Sequence, residues 1–154
     1  MAGSSSGTRF ETGHVGLNVS DLGRSTRFYR EVFGFDVASE SQAAGREYVF
    51  LAQDGTLVLT LWPQSSGTAA VERPGLHHLS FQVGSIEDVR EAARRVQSQG
   101  GVIHHGGIVP HREGADSGGL FFEDPDGIRL EIFTRSGAGD QPAPHADGPT
   151  CGFF

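Results

Sequence analysis

A chain of 154 residues, 36% hydrophobic and 20% charged, has the size and make-up of one folded domain. Its formal charge of −7 argues against a nucleic-acid binder, which needs clustered cations, and its longest apolar runs, such as Leu57 to Trp62, are far too short to cross a bilayer. The single cysteine, Cys151, excludes an internal disulfide and a multi-cysteine metal site.

Residues 1–9 are small and polar, with no apolar stretch of the signal-peptide kind, and read as a flexible leader of a cytoplasmic protein. The first strand is His14-Val15-Gly16-Leu17-Asn18-Val19, with Val15, Leu17 and Val19 on one face and His14, Gly16 and Asn18 on the other. Ser20-Asp21 then opens a helix carrying Leu22, Thr26, Tyr29 and Phe33 at helical spacing. Strands follow at Phe35 to Glu40, Glu47 to Ala52 and Leu57 to Trp62, with Asp54-Gly55 as a hairpin turn before the last.

The pattern then repeats. His78-Leu79-Ser80-Phe81-Gln82-Val83 alternates in the same way, again ending its polar face in an imidazole. Ser85 with Asp88 caps a second helix, striped by Ile86, Val89, Ala93 and Val96 and ended by Gly100-Gly101. Strands are expected at Val102 to His105, Leu120 to Glu123 and Ile128 to Phe133, the last preceded by Asp126-Gly127. The histidines lie 64 residues apart and the turn glycines, Gly55 and Gly127, lie 72 apart. The difference fits an insertion at His111 to Gly119. The fold expected is α+β: two βαβββ modules in tandem, about 10–64 and 74–135, whose mixed sheet curls into a cup. Residues 136–154 read as a flexible Gly- and Pro-rich tail, although Gly152-Phe153-Phe154 is odd for a free tail and could dock on the domain or a partner.

In the last strand Ile128, Leu130 and Ile132 share the apolar face, leaving Arg129, Glu131 and Phe133 on the other. By the repeat, Glu131 points into the same space as His14 and His78. Two imidazoles and a carboxylate are the donor set of non-haem Fe(II), and could also hold Zn(II), Mn(II), Ni(II) or Co(II). Counting four residues from each turn glycine sets Leu59 where the second module has Glu131, so Leu57, Leu59 and Leu61 would form a greasy wall; a one-residue slip would put Thr60 there instead, still a poor ligand. Tyr48, Trp62, Ser80, Phe121 and Arg129 complete the expected pocket. His104, His105 and His111 lie near the inserted loop as candidate proton carriers, and His105 joins Glu131 as the catalytic pair. The plainer reading makes His14 and His78 strand-end hydrogen bonders, with His77 facing away from His78 as a surface group.

These residues resemble the vicinal oxygen chelate superfamily, which includes glyoxalase I, extradiol dioxygenases, fosfomycin-resistance enzymes and bleomycin-binding proteins. The resemblance spans roughly residues 10–135. It is carried by His14-Val-Gly-Leu-Asn-Val-Ser-Asp, Phe28-Tyr29-Arg-Glu-Val-Phe-Gly-Phe, His78-Leu-Ser-Phe and Phe122-Glu-Asp-Pro-Asp-Gly-Ile-Arg-Leu-Glu131. It implies a divalent metal on His14, His78 and Glu131, with modules paired within a chain or swapped in a homodimer. Glyoxalase I carries a fourth ligand where Leu59 stands; extradiol enzymes carry a tyrosine where Phe121 stands; fosfomycin enzymes carry a hydroxyl residue where Gly16 stands. Bleomycin-binding members lack the metal triad. The expected function is therefore a metal-dependent enzyme on a small oxygen-chelating substrate, dioxygenase-like before glyoxalase- or isomerase-like, with Fe(II) favoured. The alternative is a resistance protein that sequesters an antibiotic or aromatic ligand.

Overall fold

Two copies of one strand–helix–three-strand pattern make up the computed structural model, which describes residues 7–154, so most of the expected leader lies outside the described residues. The first module runs β1 (Val15–Asn18), α1 (Leu22–Phe33), β2 (Asp36–Ser41), β3 (Tyr48–Gln53) and β4 (Thr56–Trp62). The second runs β5 (Leu79–Gln82), α2 (Ile86–Ser98), β6 (Val102–Ile103), β7 (Val109–Pro110), β8 (Gly118–Glu123) and β9 (Arg129–Thr134). Each forms its own mixed sheet, ordered β1-β4-β3-β2 and β5-β9-β8-β6, with β7 also on β8. In both, the first strand lies parallel to the last. The α+β architecture is as expected.

Local chemistry explains most boundaries. Asp21 caps α1 by accepting from the Arg24 amide, and Gly34 closes it in the left-handed conformation at φ 74°. Ser85 caps α2 in the same way through the Asp88 amide, and Glu87 and Asp88 suit the positive end of the helix. Asp54 and Gly55 both take positive φ, as the tightest hairpin turn requires. The expected strand Val102 to His105 is cut short. His105 adopts φ 57°, Gly106 and Gly107 follow with positive φ, and the chain resumes pairing only at Val109.

One core unites the modules. It joins Leu17, Leu51, Leu59 and Leu61 of the first sheet to Leu120, Phe122, Leu130 and Ile132 of the second, with Phe28, Tyr29 and Val32 of α1 and Val89 and Val96 of α2 between them. Phe28 meets Phe122 with ring centroids 6.3 Å apart. The buried Tyr29 hydroxyl donates to Asp124 at 2.9 Å, while Asp124 also accepts the Asp126 and Ile128 amides. Asp126 in turn accepts from the Ser20 amide and hydroxyl and from Arg24. The turn before β9 thus latches onto the start of α1. Because side chains alternate along a strand, each sheet keeps its polar face turned away from this core.

Candidate functional site

Glu131 is the centre of the polar face of the second sheet. It sits on β9 between Ser80 of β5 and Phe121 of β8, and is only 3% exposed. Gly119 permits this close pairing: a Cβ there would stand 2.2 Å from the Ile132 carbonyl oxygen. His111, from the loop between β7 and β8, brings Nε2 to 2.6 Å from Glu131 Oε1, and its Nδ1 lies 3.0 Å from Ser117 Oγ. His78, immediately before β5, brings Nε2 to 3.5 Å from Glu131 Oε2. Burial pushes the His78 imidazole below its ordinary 6.5, with Glu131 opposing the shift, so the neutral ring is favoured.

The expected residues divide into those this face gathers and those it does not. Glu131, His78, Ser80 and Phe121 share it. Phe121 and Arg129 both contact the ring of Phe154. His77 does not turn away from His78; their Nδ1 atoms lie 2.8 Å apart. The second imidazole on Glu131 is His111. His105 packs instead on Phe121, His104 and His145, with its Nε2 buried and, among the described residues, unpaired. The hint of His111 in the sequence was its place beside the inserted loop, which did not separate it from its neighbours.

The first sheet brings one correction. Gly16 pairs with Thr60 where Ser80 pairs with Glu131, so Thr60, not Leu59, occupies the position equivalent to the carboxylate. The strand is out of register by one because β4 bulges between Leu57 and Leu59. Leu59 and Leu61 are therefore fully buried in the core and line no open pocket, while Leu57, opposite Ala52, stays on the outer face. That face instead carries an aromatic cluster. Tyr48, Phe50 and Trp62 pack at tilted and edge-on angles with centroids 4.7 to 5.7 Å apart, and Trp62 Nε1 donates to Thr60 Oγ1 at 3.0 Å. Tyr48 and Trp62 line a cavity of about 430 Å³.

His14 precedes β1 and is exposed. Among the described residues of one chain, no three His, Cys, Asp or Glu side chains are arranged to hold a metal ion. The second module nonetheless fits the donor chemistry of a divalent metal, pairing a buried carboxylate with an imidazole kept neutral. Of the three donors that the resemblance implies, it would supply two, His78 and Glu131.

Comparison with known proteins agrees with this fold. The family model described as Glyoxalase/Bleomycin resistance protein/Dioxygenase superfamily matches residues 12–132. A catechol-2,3-dioxygenase of Bacillus subtilis is 29% identical over 124 residues, covering 79% of this chain; the chain spans 40% of that enzyme's length. A lactoylglutathione lyase of Haemophilus influenzae is 28% identical over 82% of this chain and 97% of its own. A glyoxylase/bleomycin resistance protein/dioxygenase domain from Frankia sp. EAN1pec superposes with a TM-score of 0.70 at 25% identity, covering 83% of this chain and 93% of that one. A variant of the fosfomycin resistance protein FosX from Listeria monocytogenes, solved with Mn(II) and 1S,2S-dihydroxypropylphosphonic acid, shares the fold at TM-score 0.61 and 22% identity, over 81% of this chain and 90% of its own.

Proposed function

The chain belongs to the glyoxalase/bleomycin resistance protein/dioxygenase superfamily, and from that premise we propose that it is a divalent-metal-dependent enzyme acting on a small organic substrate with adjacent oxygens. The observation that carries this reading is the buried Glu131 carboxylate, held at one oxygen by His111 and flanked at the other by His78. His78 and Glu131 of one copy, with His14 of a second copy, would hold the ion. When bound, the ion supplies Lewis-acid polarisation of the substrate oxygens and, as Fe(II), a place for dioxygen.

The protein's own residues do the rest. His111 Nε2–H donates to Oε1, which leaves Oε2, on the His78 side, free to bind. Ser117 fixes the His111 ring through Nδ1, so the carboxylate is held in one orientation. Thr60 in the position equivalent to Glu131 leaves a donor set of three, which favours dioxygenase-like chemistry with Fe(II) over a four-ligand isomerase. The relative named catechol-2,3-dioxygenase supports the same preference.

The second reading, an aromatic-ligand sequestering protein, is favoured by the Tyr48, Phe50 and Trp62 cluster with its adjoining cavity. Metal analysis of protein purified without chelator separates the two. Stoichiometric metal that is lost on Glu131→Ala and on His14→Ala, with oxygen uptake on a catechol panel, supports the enzyme. A metal-free protein that still binds an aromatic compound would sink it.

A further inference from the structure

Residues 136–154 do not leave the domain; they return across the second sheet. Ala138 N donates to the Asp116 carbonyl and Ala143 N to Glu113 Oε2, both at 2.9 Å. Thr150 is 2% exposed, its amide donating to the His111 carbonyl and its hydroxyl to the Pro110 carbonyl, each at 2.7 Å. A short 3-10 turn, Thr150–Gly152, then aims Phe154 at the face that carries Glu131.

There the Phe154 ring is boxed. Phe121 and His104 meet it edge-on at 5.3 and 5.4 Å, and His78 lies tilted against it at 5.6 Å between centroids. The Arg129 guanidinium carbon lies 5.2 Å from the ring centroid, a cation–π contact. Such walls suit the negative face and positive edge of any planar ring. They also carry polar atoms that a phenyl ring leaves unsatisfied. Among the described residues, Arg129 Nε and His104 Nε2 are buried without a hydrogen-bond partner, the latter having only Glu123 Oε1 at 3.4 Å in poor alignment. Buried polar groups without partners are uncommon enough in folded proteins to call for an explanation. A ring bearing a hydroxyl or carbonyl oxygen would supply what Phe154 lacks.

We propose that the box formed by His78, His104, Phe121 and Arg129 is a subsite for an oxygen-bearing aromatic ring, and that Phe154 fills it as an internal competitor which such a ligand must displace. The inference rests on the reading that the Glu131 face is the functional face. It requires no metal. The segment Thr150–Phe154 is thus a displaceable cover, anchored at Thr150 and closed by one aromatic side chain. Cys151 lies in the anchoring turn, half-buried, and burial pushes its thiol above the ordinary value, so its reactivity reports whether the cover is seated.

The test uses chelator-treated full-length protein, with 2-naphthol as a fluorescent probe and a chromogenic disulfide reagent on Cys151. Phe154→Ala is expected to bind 2-naphthol about 10-fold more tightly, because the competent state no longer has to be vacated. Phe154→Trp, filling the box more completely, should bind it more weakly, and Arg129→Gln should lose affinity. In the unaltered chain, saturating 2-naphthol should speed the Cys151 reaction; in Phe154→Ala that reaction is already fast and no longer responds. Equal affinities in all three Phe154 forms, with a Cys151 rate indifferent to the probe, overturn the proposal. Because no metal is present, that failure leaves the metal reading standing, and a failure of metal binding leaves this result untouched.

Discussion

A carboxylate as buried as Glu131 costs several kcal/mol to desolvate unless its oxygens are satisfied. His111 satisfies one oxygen, and the nearer side of His78 leaves the other for a cation. His111 is on this account a positioning residue. His111→Ala is expected to weaken binding of the divalent ion by about 10- to 100-fold without altering the stoichiometry at saturation, measured by competition with a fluorescent chelator. Away from the site, Tyr29→Phe removes a donor from the buried Asp124, whose carboxyl burial already pushes above its usual range. A loss of about 2 kcal/mol in urea denaturation is expected, and a change below about 0.5 kcal/mol would show that the bond contributes little. The half-buried His105 has its pKa lowered first by desolvation and then by the charges of His104 and His145, and His78 is lowered by desolvation too. A ring whose folded pKa lies below 6.5 binds fewer protons folded than unfolded. Stability is therefore intact above 6.5 and falls as pH drops from there through the folded pKa. Melting temperatures should decline over that window, and His105→Asn, which tolerates positive φ, should flatten the decline.

At the scale of elements, punctuation made most of the chain legible. Asp21, Ser85 and Asp54-Gly55 are residues whose local chemistry decides where a helix begins or where a strand turns, and each does so in the structure. What stayed hidden depends on pairing rather than on local preference. Nothing in Thr56-Leu57-Val58-Leu59 announces the bulge that exchanges Leu59 for Thr60, because every residue there is an equally good strand former. The break at His105 and the contact between His111 and Glu131 likewise depend on how the inserted loop folds back over β8. Gly119 marks the tightest of these pairings. Gly119→Ala forces a Cβ into the β9 backbone, 2.2 Å from the Ile132 oxygen and 2.8 Å from the Phe133 Cα, where neither neighbour can yield cheaply. A destabilisation of about 2–3 kcal/mol is expected from calorimetry, together with loss of whatever affinity depends on Glu131.

The whole molecule is two modules fastened through their apolar faces, their helices and the latch between Asp126 and Arg24. This packing leaves one polar face on each sheet, with Thr60, Trp62 and Gly16 on the first and Glu131 and His111 on the second. His14 stands exposed at the end of the first, apart from the carboxylate it would join. On the proposed reading, a second copy would resolve this by bringing the first sheet of each chain against the second sheet of the other. Two sites would then form, each with His14 from one chain and His78 with Glu131 from its partner. Mixing two inactive variants tests this most directly. His14→Ala and Glu131→Ala chains, each unable to hold metal alone, are combined under conditions that let subunits exchange, and bound metal is measured on the isolated mixed dimer. Sites built between copies predict that the mixture regains about one tight metal ion per mixed dimer, since one of its two sites keeps all three donors. A mixed dimer that binds no more metal than its parents would contradict a site shared between copies.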